Sequence, residues 1–427
     1  MDTTPIKMTD DQALAKSVQA AAVFSPRTPV NRRALFAGRW RQMNSLVDAV
    51  SQVGLHVVLF GERGVGKSSL ANIVGPLLEV MNPRLKHLVV RVNANKEDTF
   101  ASVWRKVFDE ITFVENKPLV GFNAPTTQEV RSLREVYGIG EELGIDDVRR
   151  ILARLPSSVM VIDEFDRLPR RAAAAFTDLI KALSDGAVPS TVILVGVAET
   201  VDGLVRDHSS IPRALVQIHM PRMTTAELGE ILLKAAESLE MTFDSDASSR
   251  IARMSQGLPH FTHLVGQFAV RRACERRSFS VSLNDVNQGL ADAVKGVDQT
   301  TATTYATATH SAHQAALFSQ VLLACALTAC ILPDNALGYF QAVDVVEPLS
   351  SVLEREVQIA TFNGHLSEFC TDKRANVLER TGNPRAYRYR FHDPLMPPYV
   401  ILRSIAEKMV TAEFVDAFLN THEGGSR

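Results

Sequence analysis

The residues Gly61-Glu62-Arg63-Gly64-Val65-Gly66-Lys67-Ser68 fit the spacing G-x-x-x-x-G-K-[ST]. Each residue type in that pattern answers a need of phosphate chemistry. Glycines let backbone N–H groups turn inward around phosphate oxygens. A helix starting at the loop adds the positive end of its dipole. Lys67 supplies a point charge for the β- and γ-phosphates, and Ser68 offers a hydroxyl to Mg²⁺. Glu62, Arg63, Val65 and Ser69 complete the loop and the first helical turn. The expected ligands are ATP and Mg²⁺. A chance glycine-rich turn is the plain alternative; an apolar strand before the loop and a helix after it argue against it.

A second group is Val159-Met160-Val161-Ile162-Asp163-Glu164. An apolar strand here delivers two acids at its C-terminal edge, where parallel sheets bind ligands. Asp163 is the expected Mg²⁺ residue and Glu164 the one that polarises the attacking water. Standing alone, the pair reads equally well as a helix cap. Phosphoryl transfer also gains from a cation at the γ-phosphate. The candidates are Arg206 and Arg213, in VRDHSSIPRAL, against the alternative of surface arginines.

These groups need a sheet to hold them. HVVLF (56–60), HLVVRVNA (87–94), SSVMVIDEFD (157–166), STVILVGVA (190–198) and ALVQIHM (214–220) read as five strands. The segment after Gly66, the stretch Thr99 to Thr112 and RAAAAFTDLIKALSDG read as helices between them. Such alternation implies an α/β fold with a five-stranded parallel sheet. Residues 113–144 carry Pro118, Gly121, Pro125, Gly138 and Gly140 and read as an insertion with surface loops. Residues 1–29 read as a polar, weakly helical tail, and 30–222 as the P-loop domain. From Thr224, with Glu227 three residues on as a capping box, an all-helical lid is expected over 223–299. Residues 300–427 read as a further domain with a strand-like run at 386–391.

The bulk composition is that of a globular chain: 427 residues, 46% hydrophobic, 22% charged, net charge −2. That length calls for two or three domains, and that charge argues against a dominant nucleic-acid or membrane footprint. Cys274, Cys325, Cys330 and Cys370 form no CxxC pair and read as free thiols of a reducing cytoplasm. The N-terminal MDTTPIKMTDDQALAKSV lacks the apolar segment of a secretory leader. The apolar stretch Ala315 to Leu332 is interrupted by Ser319, Gln320 and Thr328 and reads as a buried helix, so no membrane span is expected. His310 and His313 share a helical face without a third ligand nearby, which reads as a solvated pair.

The order of these pieces resembles the AAA+ class of P-loop ATPases. More narrowly it resembles the branch holding the origin-recognition initiator ATPases and STAND-type signalling ATPases. The residues that carry this are FAGR (36–39), GERGVGKSSL, VIDEFDRL, VILVGVA and SQGLP (255–259), across about residues 30–299. The resemblance implies that Gly38-Arg39 lies near the adenine. It places a sensor-1 position near Gly196 and Val197, and it makes Arg213 the trans-acting arginine finger of a homo-oligomer. It also makes Gly257-Leu258-Pro259 the start of a sensor-2 helix. This chain departs from the pattern at two places. Strand four ends without the usual asparagine or threonine, and His260 stands where the initiator branch often has arginine. Residues 300–427 resemble the winged-helix domain of these families, with HLSEFCTDKRANVL as a late helix and AYRYRFHDPLMPPYV as wing and exit. Arg374, Arg380, Arg385, Arg388 and Arg390, interleaved with Tyr387 and Tyr389, are candidates for nucleic acid. Ten basic against thirteen acidic residues make this region no basic platform.

Three readings follow. The first is an ATP-hydrolysing assembly switch that signals to a partner protein. The second is a DNA-binding initiator or transposition-type ATPase. The third is a nucleotide-binding scaffold with negligible hydrolysis.

Overall fold

The structure, a computed structural model, describes residues 7–26, 29, 33–81, 87–118, 126–198, 213–311, 316–332, 338–384 and 386–423. Elements are numbered along the chain. Helix α1 (Asp10–Val23) belongs to the second of two compact units, which comprises residues 1–28, 63–65 and 222–427. The first unit comprises 29–62 and 66–221.

The first unit runs α2 (Trp40–Val50), β1 (His56–Gly61), α3 (Lys67–Asn72), α4 (Val74–Met81), β2 (Leu88–Asn93) and α5 (Phe100–Glu110). An antiparallel hairpin, β3 (Thr112–Pro118) with β4 (Thr126–Ser132), and α6 (Leu133–Tyr137) follow. Next come α7 (Ile145–Leu152), β5 (Ser158–Asp163), α8 (Arg170–Asp185), β6 (Ser190–Val197) and β7 (Leu215–His219). Five strands form one parallel sheet in the order β2-β5-β6-β1-β7. Every residue of β1 and β5 is buried, as expected of central strands covered on both faces. This is the five-stranded parallel α/β fold expected from the sequence. The register sets Asn93 against Asp163 and Gly61 against Val197, so all four reach the same, C-terminal edge of the sheet.

An aromatic cluster holds that edge from below. Trp104 stacks on Phe176 at 6.0 Å, and Phe165 meets Phe176 edge-on at 5.4 Å. Phe165 is buried, which pins the chain directly after Asp163-Glu164.

Two expectations in this unit are corrected. The helix expected to reach Thr112 stops at Glu110, because Thr112 begins β3. The insertion expected as surface loops at 113–144 contains the β3–β4 hairpin and α6. Seven cross-strand pairs from Thr112↔Ser132 to Pro118↔Thr126 satisfy the backbone of a run that is poor in apolar periodicity.

The second unit adds α9 (Thr225–Leu239), β8 (Thr242–Phe243), α10 (Ser245–Met254), α11 (Pro259–Glu275), β9 (Ser280–Val281) and α12 (Leu283–Gly296). It continues through α13 (Gln299–Thr309), α14 (Phe318–Ile331), β10 (Phe340–Gln341), α15 (Val346–Leu353) and α16 (Ile359–Phe369). It ends with β11 (Leu378–Thr381), β12 (Arg388–Phe391), α17 (Met396–Ala406) and α18 (Ala412–Glu423). The Thr224–Glu227 capping box forms. The boundary expected at about residue 300 falls inside this unit.

Residues 7–26 of the segment expected as a weakly helical tail pack into this unit. Thr9 and Gln12 close a capping box at the start of α1. Lys16 is buried and donates to the Leu239 carbonyl at 2.6 Å and to the Glu240 carboxylate at 3.3 Å. Phe24 is fully buried against Gly266, where an added Cβ would lie 2.7 Å from the ring. The tail reading failed because the helix presents only a narrow apolar stripe, completed by a buried lysine.

Helix α14 is buried, and among the described residues no helix is long and apolar enough to cross a membrane. The expected helix HLSEFCTDKRANVL divides: α16 ends at Phe369 and Leu378 opens β11. Strands β10, β12 and β11 form a small antiparallel sheet. The four cysteines are free thiols.

Candidate functional site

The phosphate loop is built on backbone freedom that side chains would deny. Gly61 has φ +150°, and a Cβ there would sit 2.4 Å from the Met220 carbonyl oxygen. Gly66, φ +96°, is the N-cap of α3, so the helix begins at Lys67 with its first amides aimed at the loop. Lys67 is 7% exposed. Its ammonium donates to the carbonyls of Gly61 at 2.9 Å and Glu62 at 2.6 Å. Ser68 and Ser69 follow on the first turn of α3. Three tip residues, Arg63, Gly64 and Val65, cluster with the second unit, where Arg63 ion-pairs with Asp393 at 3.1 Å.

The acids sit at the end of β5. Asp163 is 4% exposed and both its oxygens are engaged. Oδ1 accepts the Glu164 amide at 2.8 Å, and Oδ2 accepts from the Arg91 guanidinium at 2.6 Å. Arg91 also donates to the Asn72 side chain. Glu164 has a left-handed backbone, φ 56°, and its carboxylate pairs with Arg167 at 2.8 Å, half-exposed. Asp166 accepts the Val197 amide at 2.8 Å, which ties the end of β6 to the turn after the acids. Gly196 and Val197, the expected sensor-1 position, stand at the C-terminal end of β6, and their side chains bring no polar group.

Arg39 is buried, φ 64°, and donates to the Pro221 carbonyl at 2.6 Å. Arg213 is an exposed turn residue two positions before β7. Arg206 and Arg385 lie outside the described residues. In the second unit, Pro259 is the first residue of α11. His260 follows it, with Nδ1 2.6 Å from the Pro26 carbonyl. Burial holds the His260 imidazole below its ordinary pKa, against the opposing pull of that carbonyl and of Asp298. His260 is therefore engaged with the N-terminal segment through a ring nitrogen.

The donor set suits a magnesium nucleotide: a lysine at a loop of inward amides, a helix N-terminus, a serine hydroxyl and a buried carboxylate on the same sheet edge. Among the described residues no cluster of three histidine, cysteine or acidic side chains is placed to hold a metal by itself. Arg91, Asn72 and Arg167 were not singled out in the sequence. The one available signal was Arg91, a charge inside the apolar run LVVRV.

The sequence model of the family described as Novel STAND NTPase 1 matches residues 29–329. A curated relative, the Holliday junction branch migration complex subunit RuvB of Mesomycoplasma hyopneumoniae, is 28% identical over 107 residues. That match covers 25% of this chain and 32% of the relative's length. Solved structures with similar folds include Cdc6p of Pyrobaculum aerophilum, with 15% identity, 92% and 98% of the two chains covered and a TM-score of 0.45. Another is a Walker-type ATPase of Pyrococcus abyssi, with 14% identity, 89% and 99% covered and a TM-score of 0.49.

Proposed function

Because the chain belongs to the Novel STAND NTPase 1 family, we propose that it binds ATP with Mg²⁺, hydrolyses it slowly, and uses the nucleotide state as an assembly switch read by a partner protein. The observation that carries this reading is the convergence of Lys67 and Asp163, both buried, at one edge of the sheet. In the proposed complex Lys67 exchanges its two carbonyl partners for the β- and γ-phosphates. Ser68 and Asp163 hold the Mg²⁺, which neutralises phosphate charge when bound. Glu164 turns from Arg167 to orient the attacking water. Arg39 shapes the base end of the pocket. Arg213, exposed at the start of β7, is offered to a neighbouring copy as its γ-phosphate cation.

Slow turnover follows from two features. The Glu164 carboxylate is engaged by Arg167, and Val197 brings no side-chain hydrogen bond to the γ-phosphate. These same features favour, as a second reading, a nucleotide-binding scaffold with negligible hydrolysis. The C-terminal helices with the β10-β12-β11 sheet are read as a winged-helix-like module that contacts the partner.

ATPase turnover across protein concentration, wild type beside Glu164→Gln, tests the proposal. We expect turnover per subunit to rise with concentration in the wild type and to vanish in Glu164→Gln with ATP still bound. Lys67→Ala is expected to lose ATP binding with the fold retained; normal affinity in that variant would sink the P-loop assignment. Absent turnover in the wild type with tight ATP binding would move the protein to the scaffold reading.

A further inference from the structure

Arg91 stands in an unusual place. It is the one charged residue of β2, and its neighbours Val90 and Val92 are buried in the core below the sheet. Strand alternation sends the Arg91 side chain to the opposite face, toward α3. There its two terminal nitrogens divide between Asn72 of α3 and Oδ2 of Asp163. Since Oδ1 of Asp163 already accepts the Glu164 amide, the carboxylate has each oxygen occupied by the protein itself. The guanidinium is not fully satisfied in return: its Nε is buried without a hydrogen-bond partner. Its side chain is 30% exposed, so the guanidinium is not sealed in place.

From this geometry we infer that Arg91 is a built-in counter-cation of Asp163 that divalent metal must displace, so that it sets how much metal the nucleotide complex needs. The inference rests on the proposed magnesium–nucleotide reading of the site. A cation within hydrogen-bonding distance of a carboxylate opposes the approach of a second, doubly charged one, the more so where the carboxylate is buried, as Asp163 is. The same guanidinium keeps the buried Asp163 charge compensated when no metal is bound, which an unpaired buried carboxylate would require. Arg91 is a positioning residue and touches neither nucleotide nor reacting atoms.

The test uses the full chain with a non-hydrolysable ATP analogue and Mn²⁺ as the metal, bound Mn²⁺ being followed by electron paramagnetic resonance. Analogue binding without metal is measured alongside. Arg91→Gln should lower the Mn²⁺ concentration at half-saturation by about tenfold, a typical size for coupling between linked sites. Metal-free analogue affinity should not change, and Arg91→Lys, which keeps the charge, should stay near wild type. Arg91→Met, which keeps the aliphatic stem, serves if the glutamine variant folds poorly. An unchanged Mn²⁺ midpoint in the neutral variants overturns the inference, as does a lysine variant that shifts as far as glutamine. Failure of wild type to bind the analogue at all would instead overturn the nucleotide reading beneath it.

Discussion

At Glu164 a left-handed backbone and an ion pair with Arg167 hold the carboxylate half in solvent. Exposed pairs of this kind are worth roughly 0.2–1 kcal/mol. Arg167→Ala should therefore raise steady-state turnover by about two- to fivefold, with ATP affinity unchanged. A fall in turnover would mean that Arg167 supports Glu164. His56 makes a prediction about stability. It is fully buried in β1, its Nδ1 accepts the Val192 amide, and burial pushes its pKa down to about 4. The folded chain keeps His56 neutral where the unfolded chain, with an ordinary value of 6.5, takes up a proton. Its contribution to stability is complete above pH 6.5 and is lost as pH falls toward 4. His56→Asn keeps an acceptor for Val192 and does not titrate. Urea unfolding between pH 7 and pH 4 should show a shallower loss in that variant. Lys67 and Ser68 could be nominated from the sequence by the spacing of the glycine-rich loop, and Asp163 and Glu164 by the apolar strand ahead of them. Arg91 and Arg167 were not, because their meaning lies in partners that a strand crossing and a left-handed turn supply.

Among the elements, α18 is tied to α10 by charge. Arg250 is buried and donates to Asp416 at 2.7 Å and Glu413 at 2.8 Å, while Arg253 donates to Asp416 at 3.0 Å. Removing Asp416 takes the one buried carboxylate from Arg250 and the partner from Arg253, leaving the buried Arg250 cation with the exposed Glu413. Asp416→Ala should cost about 3 kcal/mol in denaturant unfolding. An unchanged midpoint would show that α18 contributes little. Phe24→Ala, which empties the site against Gly266, should cost a similar amount, about 3 kcal/mol. The five parallel strands were readable because each is a short apolar run stopped by glycine, acids or polar residues. The β3–β4 hairpin was not, since its pairing is satisfied by backbone and carries little apolar pattern. Helix α1 was underestimated for a related reason: its buried face is completed by Lys16, whose charge is met by a carbonyl more than two hundred residues away.

For the molecule as a whole, the arginines singled out as a nucleic-acid surface are largely spent internally. Arg374 stacks on Phe318 at 3.5 Å and donates to the carbonyls of Ala308 and His310. Arg390 pairs with Glu379 and stacks on Tyr339, and Arg380 stacks on Tyr387. With a net charge of −2, duplex DNA should bind weakly and with a shallow salt dependence. Arg388→Ala should leave it unchanged in a fluorescence titration; a steep salt slope abolished by that change would revive the initiator reading. The second unit also has a history written into its membership. Helix α1 is made more than two hundred residues before the surfaces it covers, Leu239 on α9 and Gly266 on α11. During synthesis the parallel sheet can close as soon as residue 219 is available, whereas α1 must wait with Ala20, Val23 and Phe24 unburied. The five strands of the parallel sheet are thus all available while the other unit is still open at α1. That interval is when a chaperone, or a second chain, would find α1 unpartnered.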